Sequence, residues 1–127
     1  MAGKIIADQI EHSTAGSLDT QYVVNGSAKA WVNFNGTGTI AARDSFNVSG
    51  LTDNGTGNYA VAFSNNMQSD GYAVSNSAAS SGTVYDCWMG SVYGYPTTSN
   101  VGLGSGYDTP VEVDTIYVTS TIVGDLA

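Results

Sequence analysis

Apolar and polar positions alternate with a period of two through much of this chain, most plainly between residues 26 and 63. Ala28, Ala30, Val32 and Phe34 fall on one face of a predicted strand, and Lys29, Trp31, Asn33 and Asn35 fall on the other. Tyr59, Val61 and Phe63 alternate with Ala60 and Ala62 in the same way. The unit Asn-Gly-Thr-Gly occurs twice, at residues 35–38 and 54–57. Asn-Gly tolerates the positive φ that both central positions of a type I′ turn demand, so each copy predicts a tight hairpin. The stretch therefore reads as a meander of three strands. Its middle limb, residues 39–48, carries Ile40, Ala42, Phe46 and Val48 on one face, with Arg43 and Asp44 pointing to opposite faces.

Elsewhere the pattern is less regular. Residues 1–25 form an N-terminal arm in which Ile5, Ile6 and Ile10 suit either one short helix or an extended segment. Residues 13–17 read as a polar linker and residues 19–24 as a first strand with Tyr22 and Val24 on one face. Such an arm is a candidate for docking to a partner subunit, the bland alternative being a frayed terminus. Residues 64–70 read as a loop, 71–74 as a short strand and 75–82 as a small-residue loop. Residues 84–95 form an aromatic-rich strand or pair of strands closed by Pro96. Residues 97–110, where Gly102, Gly104 and Gly106 alternate with larger residues, read as a long loop. Residues 111–123 close the chain with Ile116, Val118 and Ile122 on one face and Thr115, Tyr117, Thr119 and Thr121 on a solvated or intersubunit face. About eight short strands at such turn spacings predict an all-β fold, an antiparallel β-sandwich or jelly-roll-like domain over residues 26–127.

Composition narrows the function classes. The chain has 127 residues, enough for one core, and sixteen glycines and eight tyrosines suit short strands and tight turns. Three Lys and Arg stand against eleven Asp and Glu, a formal net charge of -8. That balance argues against electrostatic binding of nucleic acid or an anionic membrane. No stretch approaches the length of a membrane span, and Asp8 interrupts the only N-terminal apolar run, so neither membrane insertion nor a signal peptide is expected. Cys87 is the only cysteine, which leaves no intrachain disulfide and no cysteine cage for zinc.

Catalytic chemistry is thinly supplied. His12 is the only histidine and lies far along the chain from Cys87, whose neighbours Tyr85, Trp88 and Met89 describe an apolar setting that makes a thiol inert. Glu112 and Asp114 share a strand face, with Asp108 just before them. Paired carboxylates can hydrolyse glycosides only in a deep cleft, and keeping a strand end soluble is the simpler role. No loop has calcium-binding spacing, and the Gly102-x-Gly104-x-Gly106 run lacks the lysine and helix of a phosphate cradle. No catalytic residue, metal or cofactor is expected. Four Asn-x-Ser/Thr sequons, at Asn25, Asn35, Asn47 and Asn54, are silent without secretion. Surface recognition remains, and Trp88, Tyr93, Tyr95 and Tyr107 sit among Gly and Ser in the manner of binding loops. Their use would be stacking on sugars, and the structural alternative is that they belong to the core.

The wording of residues 28–38, Ala-Lys-Ala-Trp-Val-Asn-Phe-Asn-Gly-Thr-Gly, resembles segments of tail-fibre and other virion structural proteins of marine tailed phages, cyanophages especially. The likeness continues through Arg43, residues 45–49 and residues 52–59, and resumes at Gly124-Asp125-Leu126-Ala127. Gln68 departs from it where such sequences tend to have proline. The resemblance implies a non-enzymatic virion protein that forms homotrimers and assembles with other virion proteins, and the apolar surface of so small a domain adds to the expectation of a trimer. In one reading the chain is a short tail fibre or receptor-binding appendage. Its arm, through Ile5, Ile6 and Ile10, then holds the tail while Trp88, Tyr93, Tyr95 and Tyr107 contact a host surface glycan. In the other it is a decoration protein on the capsid, with those aromatics in the core.

Overall fold

A computed structural model describes residues 3–80, 87–90, 96–107 and 111–127, with only the backbone of Cys87 and Trp88. Among the described residues, eleven strands and one short helix follow in order: β1 (Gln9–His12), β2 (Gly16–Asp19), α1 (Thr20–Gly26), β3 (Ala28–Asn35), β4 (Ala41–Phe46), β5 (Val48–Gly55), β6 (Asn58–Phe63), β7 (Ala73–Ala79), β8 (Cys87–Gly90), β9 (Asn100–Tyr107), β10 (Val111–Glu112) and β11 (Tyr117–Val123). The first two form a hairpin apart from the rest. The others build two antiparallel sheets, one in the order β4-β3-β11-β7 and one in the order β10-β9-β6-β5, with β8 also paired to β9. The all-β, sandwich-like architecture expected from the alternation is what the chain adopts.

The core is made by the strands whose period is cleanest. Ala30, Val32 and Phe34 of β3 and Val118 and Ile122 of β11 face Tyr59, Val61 and Phe63 of β6 and Val101 and Leu103 of β9, all of them buried. Phe34 and Tyr59, one from each sheet, meet edge to face with ring centroids 5.2 Å apart, a geometry that adds about 0.5–1.5 kcal/mol to the burial itself. Phe63 meets Tyr72 in the same way at 5.8 Å.

The middle limb of the expected meander is two strands in different sheets. β4 pairs with β3 and β5 pairs with β6, and between them stands Asn47 with φ of 56°. This left-handed conformation is one that asparagine tolerates better than other residues with a Cβ, and it turns the chain from one sheet to the other. Asn47 then ties the corner. Its Nδ2 donates to the Lys29 carbonyl at 3.0 Å and to the Asn65 carbonyl at 3.1 Å, and its Oδ1 accepts from the Asn65 amide at 2.7 Å. A bulge also sits in β4, where Asn33 pairs with Asp44 but Phe34 pairs with Ala42. The extra residue, Arg43, reverses the parity beyond it. Phe46, expected beside Ile40 and Ala42, therefore stands opposite Trp31 and is 53% exposed, while Ile40 and Val48 pack on the core.

The turns differ from type I′. Positive φ occurs at Gly38, Gly55 and Gly57, and neither Asn35 nor Asn54 has it. The two Asn-Gly-Thr-Gly copies instead converge on residues 114 and 115. The Gly36 amide donates to the Thr115 carbonyl at 3.0 Å, and the Gly57 amide donates to Asp114 Oδ1 at 2.7 Å. A side chain at Gly36 would lie 2.6 Å from the Tyr59 hydroxyl, so that glycine is required by close approach and not by φ. Thr115 is buried as a result, whereas Tyr117 and Thr121 face outward as expected.

Three further expectations are corrected. Residues 20–26 form α1 and not a strand, with Thr20 fixed by its amide on the Asp8 carbonyl at 2.8 Å and the helix end met by the Lys29 ammonium on the carbonyls of Val24 and Ser27. Ser75 to Ala79 belong to β7, paired along β11, and not to a loop. Asn100 to Tyr107 form β9, which pairs with β6, β8 and β10; Val101 and Leu103 point into the core, and the intervening glycines hid the strand in the sequence. At the C-terminus, Ala127 donates to the Asn66 carbonyl, and the Gln68 amide donates to the Asp125 carbonyl at 2.8 Å. Proline at position 68 would lack that donor.

Replacing Asn47 tests the corner. We expect Asn47→Ala to lower the unfolding free energy by about 2–3 kcal/mol, combining lost hydrogen bonds with a Cβ in left-handed backbone. Asn47→Gly is expected to cost about 1 kcal/mol less, since glycine carries no such strain. Urea denaturation reads both, and equal losses for the two variants would contradict the strained corner.

Candidate functional site

The arm presents the largest set of unburied apolar side chains. Of the eleven large apolar residues exposed among the described ones, seven belong to residues 5–24: Ile5, Ile6, Ile10, Leu18, Tyr22, Val23 and Val24. Ile5 is 94% exposed and Ile6 82%. The local reasons are clear. Gln9 to His12 pair with Gly16 to Asp19, and the turn is closed by His12, whose Nδ1 accepts from the Ala15 amide at 3.1 Å. Gly16 takes φ of 96° there. The hairpin then feeds α1, and Gln9 Nε2 donates to Asp19 Oδ1 at 2.7 Å across the junction. Neither element buries a residue: every side chain of β1 is exposed, and α1 has none buried.

Together these pieces form an open groove of about 390 Å³, lined by Lys4, Ile5, Ile6, Ala7, Ile10, Thr20, Val23 and Val24. The three isoleucines singled out in the sequence thus come together. Val23 and Val24 were missed as members of the site because the stretch from Tyr22 to Val24 has strand-type composition, and its helical turn places both valines toward Ile6 and Ile10. The groove supplies apolar contact and one lysine, a surface for docking and not for chemistry.

The expected aromatic site is only partly in view. Tyr93 and Tyr95 lie outside the described residues, as do Tyr85 and Asp108. Trp88 is placed by its backbone alone, in β8 opposite Gly106, and Cys87 likewise opposite Tyr107. Tyr107 ends β9, half-buried and opposite both Cys87 and Val111, so the structure seats it in the sheet and not in a loop.

Of the paired carboxylates, Asp114 has a structural role. Asp114 Oδ1 accepts from the Gly57 amide at 2.7 Å and from the Tyr59 hydroxyl at 3.2 Å. Tyr59 also donates toward the Gly36 carbonyl at 3.0 Å. Burial pushes the Tyr59 phenol up to about 12, and the negative charge of Asp114 adds to that direction. Burial does the same to Tyr72, also to about 12, with the Asp70 charge beside it; its hydroxyl donates to the carbonyls of Thr97 at 3.0 Å and Asn100 at 2.9 Å. Among the described residues, no cluster of three or more His, Cys, Asp or Glu is placed to hold a metal ion, and no helix is long and apolar enough to cross a membrane.

Comparison with family models, with curated proteins and with solved structures finds no match to this chain.

The two tyrosines set an alkaline limit on stability. Both phenols ionise more readily in the unfolded chain, at about pH 10, than in the fold, at about pH 12, so the unfolded state binds fewer protons across that window. Stability is expected to be flat up to about pH 10 and to fall from there toward about pH 12. Tyr72→Phe should lower stability at neutral pH, because it loses the hydroxyl proton shared between the Thr97 and Asn100 carbonyls, yet flatten the alkaline fall. Urea titrations on either side of pH 10 check this, and an unchanged alkaline slope in Tyr72→Phe would contradict it.

Proposed function

We propose that this chain is a non-enzymatic virion structural protein, a short tail appendage that contacts a host surface glycan and is held to other virion proteins by its N-terminal arm. The observation that carries the reading is the exposed apolar groove on an arm with no core of its own. A two-stranded hairpin is marginal in water, and a helix of seven residues is far below the length that is stable alone. Apolar surface held open on such an element gains from burial against a partner, at about 25 cal/mol for each Å² removed from water.

The sandwich supports the same reading from the other side. Asp114 is spent on the Gly57 turn, and Tyr59 and Tyr72 brace backbone carbonyls. The resemblance of residues 28–59 and 124–127 to phage fibre segments falls on this scaffold, and a homotrimer is part of the proposal by the same resemblance. Capsid decoration is the competing placement, in which the same arm grips capsid subunits.

Immunogold labelling of purified particles with an antibody to this chain separates the placements. Label confined to the tail is expected. Label spread over the head would replace the appendage with a decoration protein, and particles without label would overturn both. Light scattering of the isolated chain is expected to give three times the monomer mass at micromolar concentration, and a monomer mass would contradict the trimer.

A further inference from the structure

A second exposed surface lies on the outer face of the four-stranded sheet, on strands that do not belong to the arm. Trp31 of β3 and Phe46 of β4 stand directly opposite each other, and Thr121 of β11 flanks Trp31 on its other side. Tyr117 lies four residues before Thr121 in the same strand, about 13 Å along the sheet. Phe46 is 53% exposed and Tyr117 48%. Aromatic rings therefore mark both ends of the face.

The middle is polar. Asn33 stands between Asp44 on β4 and Thr119 on β11. The bulge in β4 delivers Arg43 to the same side, where its guanidinium lies over the Tyr117 ring at 4.4 Å, donates from Nη1 to Asn33 Oδ1 at 3.1 Å and donates from Nη2 to the Ile116 carbonyl at 2.7 Å. Without the extra residue, neighbouring side chains in β4 would alternate between the faces and Arg43 would point inward. The bulge thus places a fixed, exposed cation beside a carboxylate and an amide.

Such a layout selects among partners. Protein interfaces place apolar and aromatic groups at the centre and polar groups at the rim, the reverse of what this face shows. A polyanion would meet a chain of net charge -8 and an Arg43 whose guanidinium is already engaged by Asn33, the Ile116 carbonyl and the Tyr117 ring. An uncharged glycan fits both zones. The C–H face of a pyranose ring stacks on an exposed aromatic ring, and its hydroxyls donate to carboxylate and amide oxygens while accepting from guanidinium and amide hydrogens. The separation between Trp31 and Tyr117 leaves room for more than one sugar ring between the stacking positions.

We infer that the outer face of this sheet binds a neutral polysaccharide laid along the strands, stacked on Trp31, Phe46 and Tyr117 and hydrogen-bonded by Asn33, Arg43 and Asp44. The inference rests on the reading of the chain as a glycan-contacting appendage and moves that contact from the expected loop aromatics to the sheet.

The test is electrophoresis of the full chain in native gels cast with barley β-glucan, galactomannan, xylan or dextran, with alginate as the polyanion control. Retardation is expected in at least one neutral gel and not in alginate. Trp31→Ala and Tyr117→Ala should each weaken that retardation about ten-fold, with Tyr117→Ala keeping a single cooperative thermal transition, while Arg43→Lys should weaken it less. Absence of retardation in every neutral gel overturns the inference, and if the chain still labels the virion tail, the appendage reading survives it. Retardation lost in Trp88→Ala but kept in both face variants returns the contact to the loops. A mass that drops to monomer in Tyr117→Ala makes the face a contact between copies and overturns the glycan assignment.

Discussion

One residue in left-handed backbone, Asn47, joins the two sheets of this protein. Its side chain reaches the start of β3 through the Lys29 carbonyl and the end of β6 through the backbone of Asn65. The corner lets β4 and β5, consecutive in the chain, lie in different sheets, and so sets β3 against β6 with Phe34 on Tyr59. The opposite requirement, that the turns be held down, is met by residues 114 and 115, which receive both Asn-Gly-Thr-Gly units and the Tyr59 hydroxyl. The repeated motif is a repeated attachment to one segment, not a repeated hairpin.

What the sequence made legible follows from what alternation can encode. A strand with one buried and one solvated face writes its period directly, and β3, β6 and β11 were readable for that reason. Alternation cannot announce its own interruption. The bulge at Arg43 and the left-handed Asn47 each reset the parity, so a face assigned to Phe46 by counting from Ile40 was the wrong one. Glycine carries no side chain to signal a face, which left β9 looking like a loop although it lies between β6 and β8. Small residues hid β7 in the same manner.

The candidate sites were legible to different degrees. Three isoleucines near the start of the arm pointed to an apolar docking surface, and the hairpin and helix gather them into a groove with Val23 and Val24. The outer sheet face had a weaker signal that was nonetheless present: a tryptophan between lysine and asparagine on the polar side of β3. Its partners could not be inferred from the sequence, because Phe46 joins it only through the reversed parity of β4, and Arg43 reaches Tyr117 only across β3 and β11. Both proposed contacts thus lie on what the sandwich leaves outside itself, an arm at one end of the sequence and aromatic rings on an outward face.

The central claim is that the sandwich is self-sufficient and the arm is built to be completed by something else. Hydrogen exchange on the isolated chain, read amide by amide, tests it most directly. The account predicts that amides of Val32, Val61, Leu103 and Val118 exchange only through global unfolding, while those of residues 9–26 exchange many-fold faster through local opening. Equal protection of the arm and the sandwich would contradict it.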